Sequence, residues 1–151
     1  MGQSLAQIYI HLVFGSKGRY PFIKPEIAPR LHAYIGGALK KLDSPALKIN
    51  SCPDHLHILL RLSKNYSLSK VIEEIKKQSS IWVKGIENAN EKFFWQTGYG
   101  AFSVSSSQVE GLKEYIDRQE EHHKRMSFRE GMEKFIMEND LVDYNPEYFW
   151  R

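Results

Sequence analysis

Asp54-His55-Leu56-His57-Ile58-Leu59-Leu60 sets two histidines, one apolar residue apart, inside a strongly β-like run. On a β-strand, side chains at i and i+2 share a face. Leu56, Ile58 and Leu60 therefore point into a core, and His55 and His57 project together from the other side. Two imidazoles beside an acid, Asp54, make half of a divalent-metal site. They equally suit a half-buried strand whose histidines are merely hydrogen-bonded. The pair alone leaves both readings open.

The chain around this strand has the composition of an ordinary globular protein. At 151 residues, with 42% hydrophobic and 26% charged, it can build a core without staples. The single Cys52 excludes a disulfide framework and suits a reducing compartment. The opening Met1-Gly2-Gln3-Ser4 has neither the basic segment nor the long apolar run of a secretory signal, and no run reaches membrane-spanning length. These features lead us to expect one cytoplasmic domain over residues 1–151. A net charge of +3 permits a polyanionic partner without demanding one. The 13% aromatic content suits stacking on unpaired bases, or simply an aromatic core.

Upstream of the histidines, residues 7–14 alternate, with Ile8, Ile10, Leu12 and Phe14 on one face and Tyr9, His11 and Val13 on the other. This predicts a first strand buried on one side. A Gly- and Pro-containing loop follows, in which Lys17 and Arg19 could hold phosphate or stand as solvated charges. Helical spacing over 25–42 and a strand over 46–51 lead to a bend at Cys52-Pro53-Asp54. Downstream, residues 67–84 read as a helix with Lys70, Lys77 and Lys84 on its outer face; Glu73 and Glu74 favour an ordinary solvated face there. Residues 93–105 read as a fourth strand, with Gly98 and Gly100 marking a bulge or close approach. Ser107 with Glu110, and Ser127 with Glu130, open two further helices, the first running to Arg125-Met126.

The order β-α-β-β-α-β is the ferredoxin-like arrangement, followed here by two more helices. The expected class is α+β, with one antiparallel sheet carrying helices on one face and leaving the opposite, histidine-bearing face free.

Two histidines cannot hold an ion alone. Tyr115 and Gln119 are four residues apart on the first of the added helices, about 60–90° from its apolar stripe. They would present a nucleophile and a hard oxygen ligand together, or be a boundary tyrosine beside an exposed glutamine. Several other two-histidine chemistries fail on the residues. A histidine-triad hydrolase needs a third histidine where Leu59 stands, and a cupin needs a glutamate shortly after the pair. An amidohydrolase barrel needs more chain. A two-repeat phosphoesterase needs a second His-x-Ser/Thr motif, which is absent.

Five blocks in order resemble the single-tyrosine HUH transposases of bacterial insertion sequences, which act on single-stranded DNA. They are His11-Leu12-Val13-Phe14, Asp54 to Leu60, Lys76-Lys77-Gln78-Ser79-Ser80-Ile81-Trp82, Trp95-Gln96-Thr97-Gly98-Tyr99 with Phe102-Ser103-Val104-Ser105, and Tyr115-Ile116-Asp117-Arg118-Gln119-Glu120-Glu121-His122-His123. Together they span nearly the whole chain. The tyrosine–glutamine spacing is the specific element. The Gln119 to His123 run favours the insertion-sequence branch over its relatives linked to repetitive extragenic palindromes (REP).

The resemblance implies that His55, His57 and Gln119 ligate Mg²⁺ or Mn²⁺ and that Tyr115 attacks the scissile phosphate to form a 5′-phosphotyrosine. It also implies a homodimer, with the tyrosine helix able to act in trans, and recognition of hairpins at the element's ends. His122 is a candidate helper, and Asp54 a candidate hydrogen-bond partner of a ligating histidine. A relaxase or replication-initiator nicking enzyme, or a non-mobile single-stranded DNA-binding or REP-processing descendant, are the alternatives.

Overall fold

The computed structural model describes residues 2–86, 92–119, 126–138 and 143–151. Strands β1 (Tyr9–Gly15), β2 (Ala46–Cys52), β3 (His55–Arg61) and β4 (Gly100–Val104) form one antiparallel sheet in the order β2-β3-β1-β4. Helix α1 (Ala28–Lys41) connects β1 to β2, and α2 (Leu68–Ile86) connects β3 to β4. This is the α+β, ferredoxin-like arrangement expected from the element order. Helices α3 (Val109–Asp117), α4 (Phe128–Glu138) and α5 (Pro146–Phe149) follow.

The period-2 pattern does the sorting. Ile10, Leu12 and Phe14 of β1 and Leu56, Ile58 and Leu60 of β3 face α1 and α2, whose Leu31, Ile35, Val71 and Ile75 complete that core. Full burial of each such side chain stabilises the fold by about 1.5–3 kcal/mol. Helix α1 has Pro29 in its first turn and Lys40 and Lys41 in its last, as the helix dipole favours. Helix α2 starts at a serine cap, with Lys70 N–H donating to Ser67 Oγ at 3.1 Å. The two helices are tied side to side by Tyr34 stacked on Trp82, centroids 5.2 Å apart.

The opposite face of the sheet is not free. Val109 and Ile116 of α3 pack on Leu59, while Phe128, Met132 and Ile136 of α4 pack on Val13 together with Tyr144, Phe149 and Trp150. Every residue of β1 after Tyr9 is therefore buried, where one-sided burial was expected. The reason lies in the two added helices: each carries an apolar stripe, and the histidine face is the surface on which those stripes are buried.

The fourth strand is shorter than the 93–105 run predicts. Phe93 and Trp95 enter the core from irregular chain, with Trp95 edge-on to Phe14 at 4.8 Å and bridged to Ser16, the residue after β1. Lys76 holds this segment, its Nζ donating to the carbonyls of Gln96 at 2.8 Å and Gly98 at 2.7 Å. Those carbonyls are spent on an ammonium rather than on a strand ladder. Gly100 is a close approach as expected, since a Cβ there would lie 3.0 Å from Phe102 and 3.1 Å from Met132.

A 3-10 turn over Ser106–Gln108 precedes α3, and the first polar cap contact is Ser105 N–H to Gln108 Oε1 at 3.4 Å, not Ser107 with Glu110. The described part of that helix ends at Asp117. Residues 120–125, including His122, lie outside the described residues. The Ser127 cap of α4 stands as read, with Glu130 N–H donating to Ser127 Oγ at 3.1 Å.

Candidate active site

The site grows from β3. Pro53 and Asp54 form the turn of the β2–β3 hairpin, so His55 is the first residue of its strand and His57 follows on the same face. Both imidazoles are buried, at 0% and 4% exposure. Their rings meet edge to face with centroids 5.2 Å apart. His55 Nδ1 lies 2.7 Å from Asp54 Oδ1, the contact proposed from sequence for that acid. His57 Nδ1 lies 2.9 Å from His11 Nε2 across the β1–β3 pair.

Gly15 stands opposite His55 in the register. A Cβ on Gly15 would sit 2.9 Å from Phe128 Cε2 and 2.9 Å from the Asp54 carbonyl oxygen. The missing side chain is what gives α4 its seat on the histidine strand.

Helix α3 brings the tyrosine. Asn50, the β2 partner of His57, donates from Nδ2 to the Ile116 carbonyl at 2.8 Å, and Lys48 pairs with Asp117 at 2.6 Å. The C-terminal end of α3 is thereby pinned over β2 and β3. The Tyr115 ring lies 6.0 Å from that of His57 and 6.4 Å from that of His11. At 42% exposure Tyr115 occupies the rim expected of it. Gln119 does not match the exposed alternative: it is 1% exposed, and its Nε2 donates to the Tyr115 carbonyl at 3.2 Å.

His11, His57, Tyr115 and Gln119 share one cleft, roofed by Phe128, Met132 and Phe135 of α4. Its volume of about 20 Å³ accommodates one water-sized body. His55 lies under Phe128 and does not line this cleft.

Burial pushes the His11 imidazole down to about 4, so it is neutral at physiological pH. Sequence reasoning places His11 on the first strand and in a family block but gives it no part in the site. The available signal was parity: it shares a strand face with Val13, on the side where the histidine pair lies.

The donor set fits a divalent cation in kind. Two imidazole nitrogens and an amide oxygen are hard-to-borderline ligands, and none of them brings a negative charge to offset the ion's own. Among the described residues no group of three or more His, Cys, Asp or Glu side chains is placed to hold a metal. A third ligand from an amide falls outside that class.

Residues 4–119 match the family model described as "Transposase IS200 like". The chain belongs to the IS200-like transposase family. It is a DNA transposase, in a class that is metal-dependent in general. No curated protein matches this transposase. A Deinococcus radiodurans crystal structure, assigned as a transposase, is similar in fold with a TM-score of 0.62 at 18% identity. That match covers 79% of this chain and 96% of the other. A REP-associated tyrosine transposase bound to a REP hairpin has a TM-score of 0.58 at 17% identity, with 82% and 74% covered. Among the described residues of this transposase no helix is long and apolar enough to cross a membrane.

Away from the cleft, Lys17, Tyr20, Lys24, Lys92 and Phe94 line an open recess, with Lys84 Nζ 4.1 Å from the Phe94 ring centroid. Lys17 thus sits among other cations and exposed aromatics. Arg19 is turned elsewhere, over the ring of Trp150 at 5.5 Å. Of the three outer lysines of α2, Lys70 pairs with Glu74 at 3.2 Å, as the solvated-face reading holds.

Proposed function

We propose that this transposase cleaves and rejoins single-stranded DNA at the hairpin-bearing ends of an insertion sequence, with Tyr115 as nucleophile and His55, His57 and Gln119 as ligands of Mg²⁺ or Mn²⁺. The observation that carries this reading is the meeting of His57, Tyr115 and Gln119 on one cleft, from segments about sixty residues apart in the chain. A divalent ion there would neutralise charge developing on the scissile phosphate. Tyr115 Oη attacks phosphorus in line, the bond from phosphorus to the 3′ oxygen breaks, and the phenolic proton is given up as the 3′ oxygen takes one. The products are a 5′-phosphotyrosine and a free 3′-OH. Because one phosphate ester replaces another, attack by a 3′-OH on that linkage rejoins strands without ATP.

Within one chain the Tyr115 ring lies 6.0 Å from that of His57, a spacing that supports attack in cis. In the working homodimer the tyrosine helix of one subunit can serve the other in trans. The recess around Lys17 and Phe94 offers ammonium groups for phosphates and ring faces for unpaired bases. The reaction takes place on cytoplasmic DNA.

The test compares wild type with Tyr115→Phe on single-stranded DNA carrying the hairpin ends of its own element, with Mg²⁺. Wild type is expected to form a covalent protein–DNA adduct on denaturing gels, and Tyr115→Phe none. Absence of any adduct with wild type, or equal cutting of double-stranded DNA, would overturn the reading.

A further inference from the structure

His11 sits on β1, two residues from Val13, which is the register partner of His57. Its ring lies nearly parallel to that of His57, 22° apart, and is 7% exposed. The 2.9 Å between His11 Nε2 and His57 Nδ1 is a full hydrogen bond between two imidazole nitrogens, so one of them must carry the hydrogen. If His11 donates, His57 Nδ1 is the acceptor and the hydrogen of neutral His57 is on Nε2. If His57 donates, its Nε2 has a lone pair.

The neighbouring histidine supplies the comparison for an ion held by both rings. His55 Nδ1 faces the Asp54 carboxylate at 2.7 Å, and a carboxylate only accepts. His55 therefore donates from Nδ1 and presents Nε2 as a ligand nitrogen. For His57 to ligate by the same atom, its Nδ1–H must point at His11. A ring whose far nitrogen is held by an acceptor is fixed in both orientation and tautomer.

We propose that His11 is a positioning residue of this site: it accepts the Nδ1–H of His57 and so fixes His57 as an Nε2 ligand, as Asp54 does for His55. The inference rests on the metal-site reading above. It adds a third histidine that holds no metal itself, and a division of labour between a charged acceptor and a neutral one. The neutral acceptor stabilises His57 in its tautomer without adding a negative charge beside the phosphate.

Three measurements test it. Nitrogen-15 histidine spectra of the Mg²⁺-saturated wild type are expected to show His57 protonated at Nδ1; protonation at Nε2 would overturn the proposal without any variant. Mn²⁺ titration followed by electron paramagnetic resonance is expected to show binding weakened by about 10- to 100-fold in His11→Phe, which keeps a ring but no acceptor. His11→Gln, whose amide oxygen can accept the same hydrogen, is expected to stay within a few-fold of wild type and to keep the His57 tautomer. Undiminished Mn²⁺ binding by a folded His11→Phe overturns the proposal while leaving the metal site standing. No Mn²⁺ binding by wild type overturns the metal site and this proposal together. Should His11→Phe fail to fold, the wild-type spectrum and His11→Gln decide the question.

Discussion

The ring of Phe128 lies flat on the imidazole of His55, with centroids 4.0 Å apart and planes 1° from parallel. This contact joins a core residue of α4 to a histidine of the site, and Gly15 makes it possible. Gly15→Ala would place a methyl carbon 2.9 Å from the Phe128 ring and 2.9 Å from the backbone oxygen of Asp54. The ring can move but the hairpin oxygen cannot move cheaply. We expect a loss of about 1–3 kcal/mol in urea unfolding, with loosened packing of α4. An unchanged unfolding midpoint would contradict the close approach.

Asn50 ties the tyrosine helix to the sheet through the Ile116 carbonyl. Asn50→Ala removes the donor and leaves that carbonyl to water, at a cost of about 1 kcal/mol in stability. The effect on chemistry should be larger, because a displaced nucleophile loses alignment. Adduct formation is expected to slow by about 10- to 100-fold, with DNA affinity little changed. If adduct rates match wild type, the anchor does not position Tyr115.

Glu133 accepts from the Tyr144 hydroxyl at 2.9 Å, and that oxygen in turn accepts from Trp150 Nε1 at 2.7 Å. The Tyr144 hydrogen bond, with Arg129 beside it, holds the Glu133 carboxyl below its usual 4.5. A carboxyl lowered on folding contributes stability that is complete above its ordinary value and is lost as pH falls below it. The environment of Trp150 should therefore change as pH falls from 5 toward the lowered value, and Glu133→Gln should remove that transition. Trp150 fluorescence in a background lacking the other tryptophans would read it; an identical transition in Glu133→Gln would refute the assignment.

If the recess around Phe94 carries the DNA strand, its lysines release counterions on binding. The double substitution Lys17→Gln, Lys24→Gln should then lower the slope of log affinity against log salt by about 0.7 per lost phosphate contact. Fluorescence anisotropy on a labelled single strand measures this. A slope equal to that of wild type would place the strand elsewhere.

Period-2 alternation made β1 and β3 legible, and i, i+4 spacing brought Tyr115 and Gln119 to the same place. What escaped reading lies at long separation. Residue types within β1 do not reveal the 2.9 Å contact of His11, because its partner is 46 residues away and found only through strand order. Ser79 stands out only as part of a family block, and the sequence does not reveal that it is fully buried and accepts the Trp95 indole N–H at 2.9 Å. The apolar stripes of α3 and α4 were plain, but a stripe does not say which surface it covers. That is why the histidine face was expected to be open.

The pairing of β1 with β3 sets Gly15 against His55, Val13 against His57 and His11 against Leu59. Sliding one strand past the other by a single residue would reverse which of its side chains face α1 and α2. His11 would then turn into the hydrocarbon interior, away from His57, and the slot for Phe128 would close. No partly correct sheet keeps a partly correct site. The alignment of two strands therefore serves the core and the imidazole cluster at once, and a chain that misaligned them would lose both together.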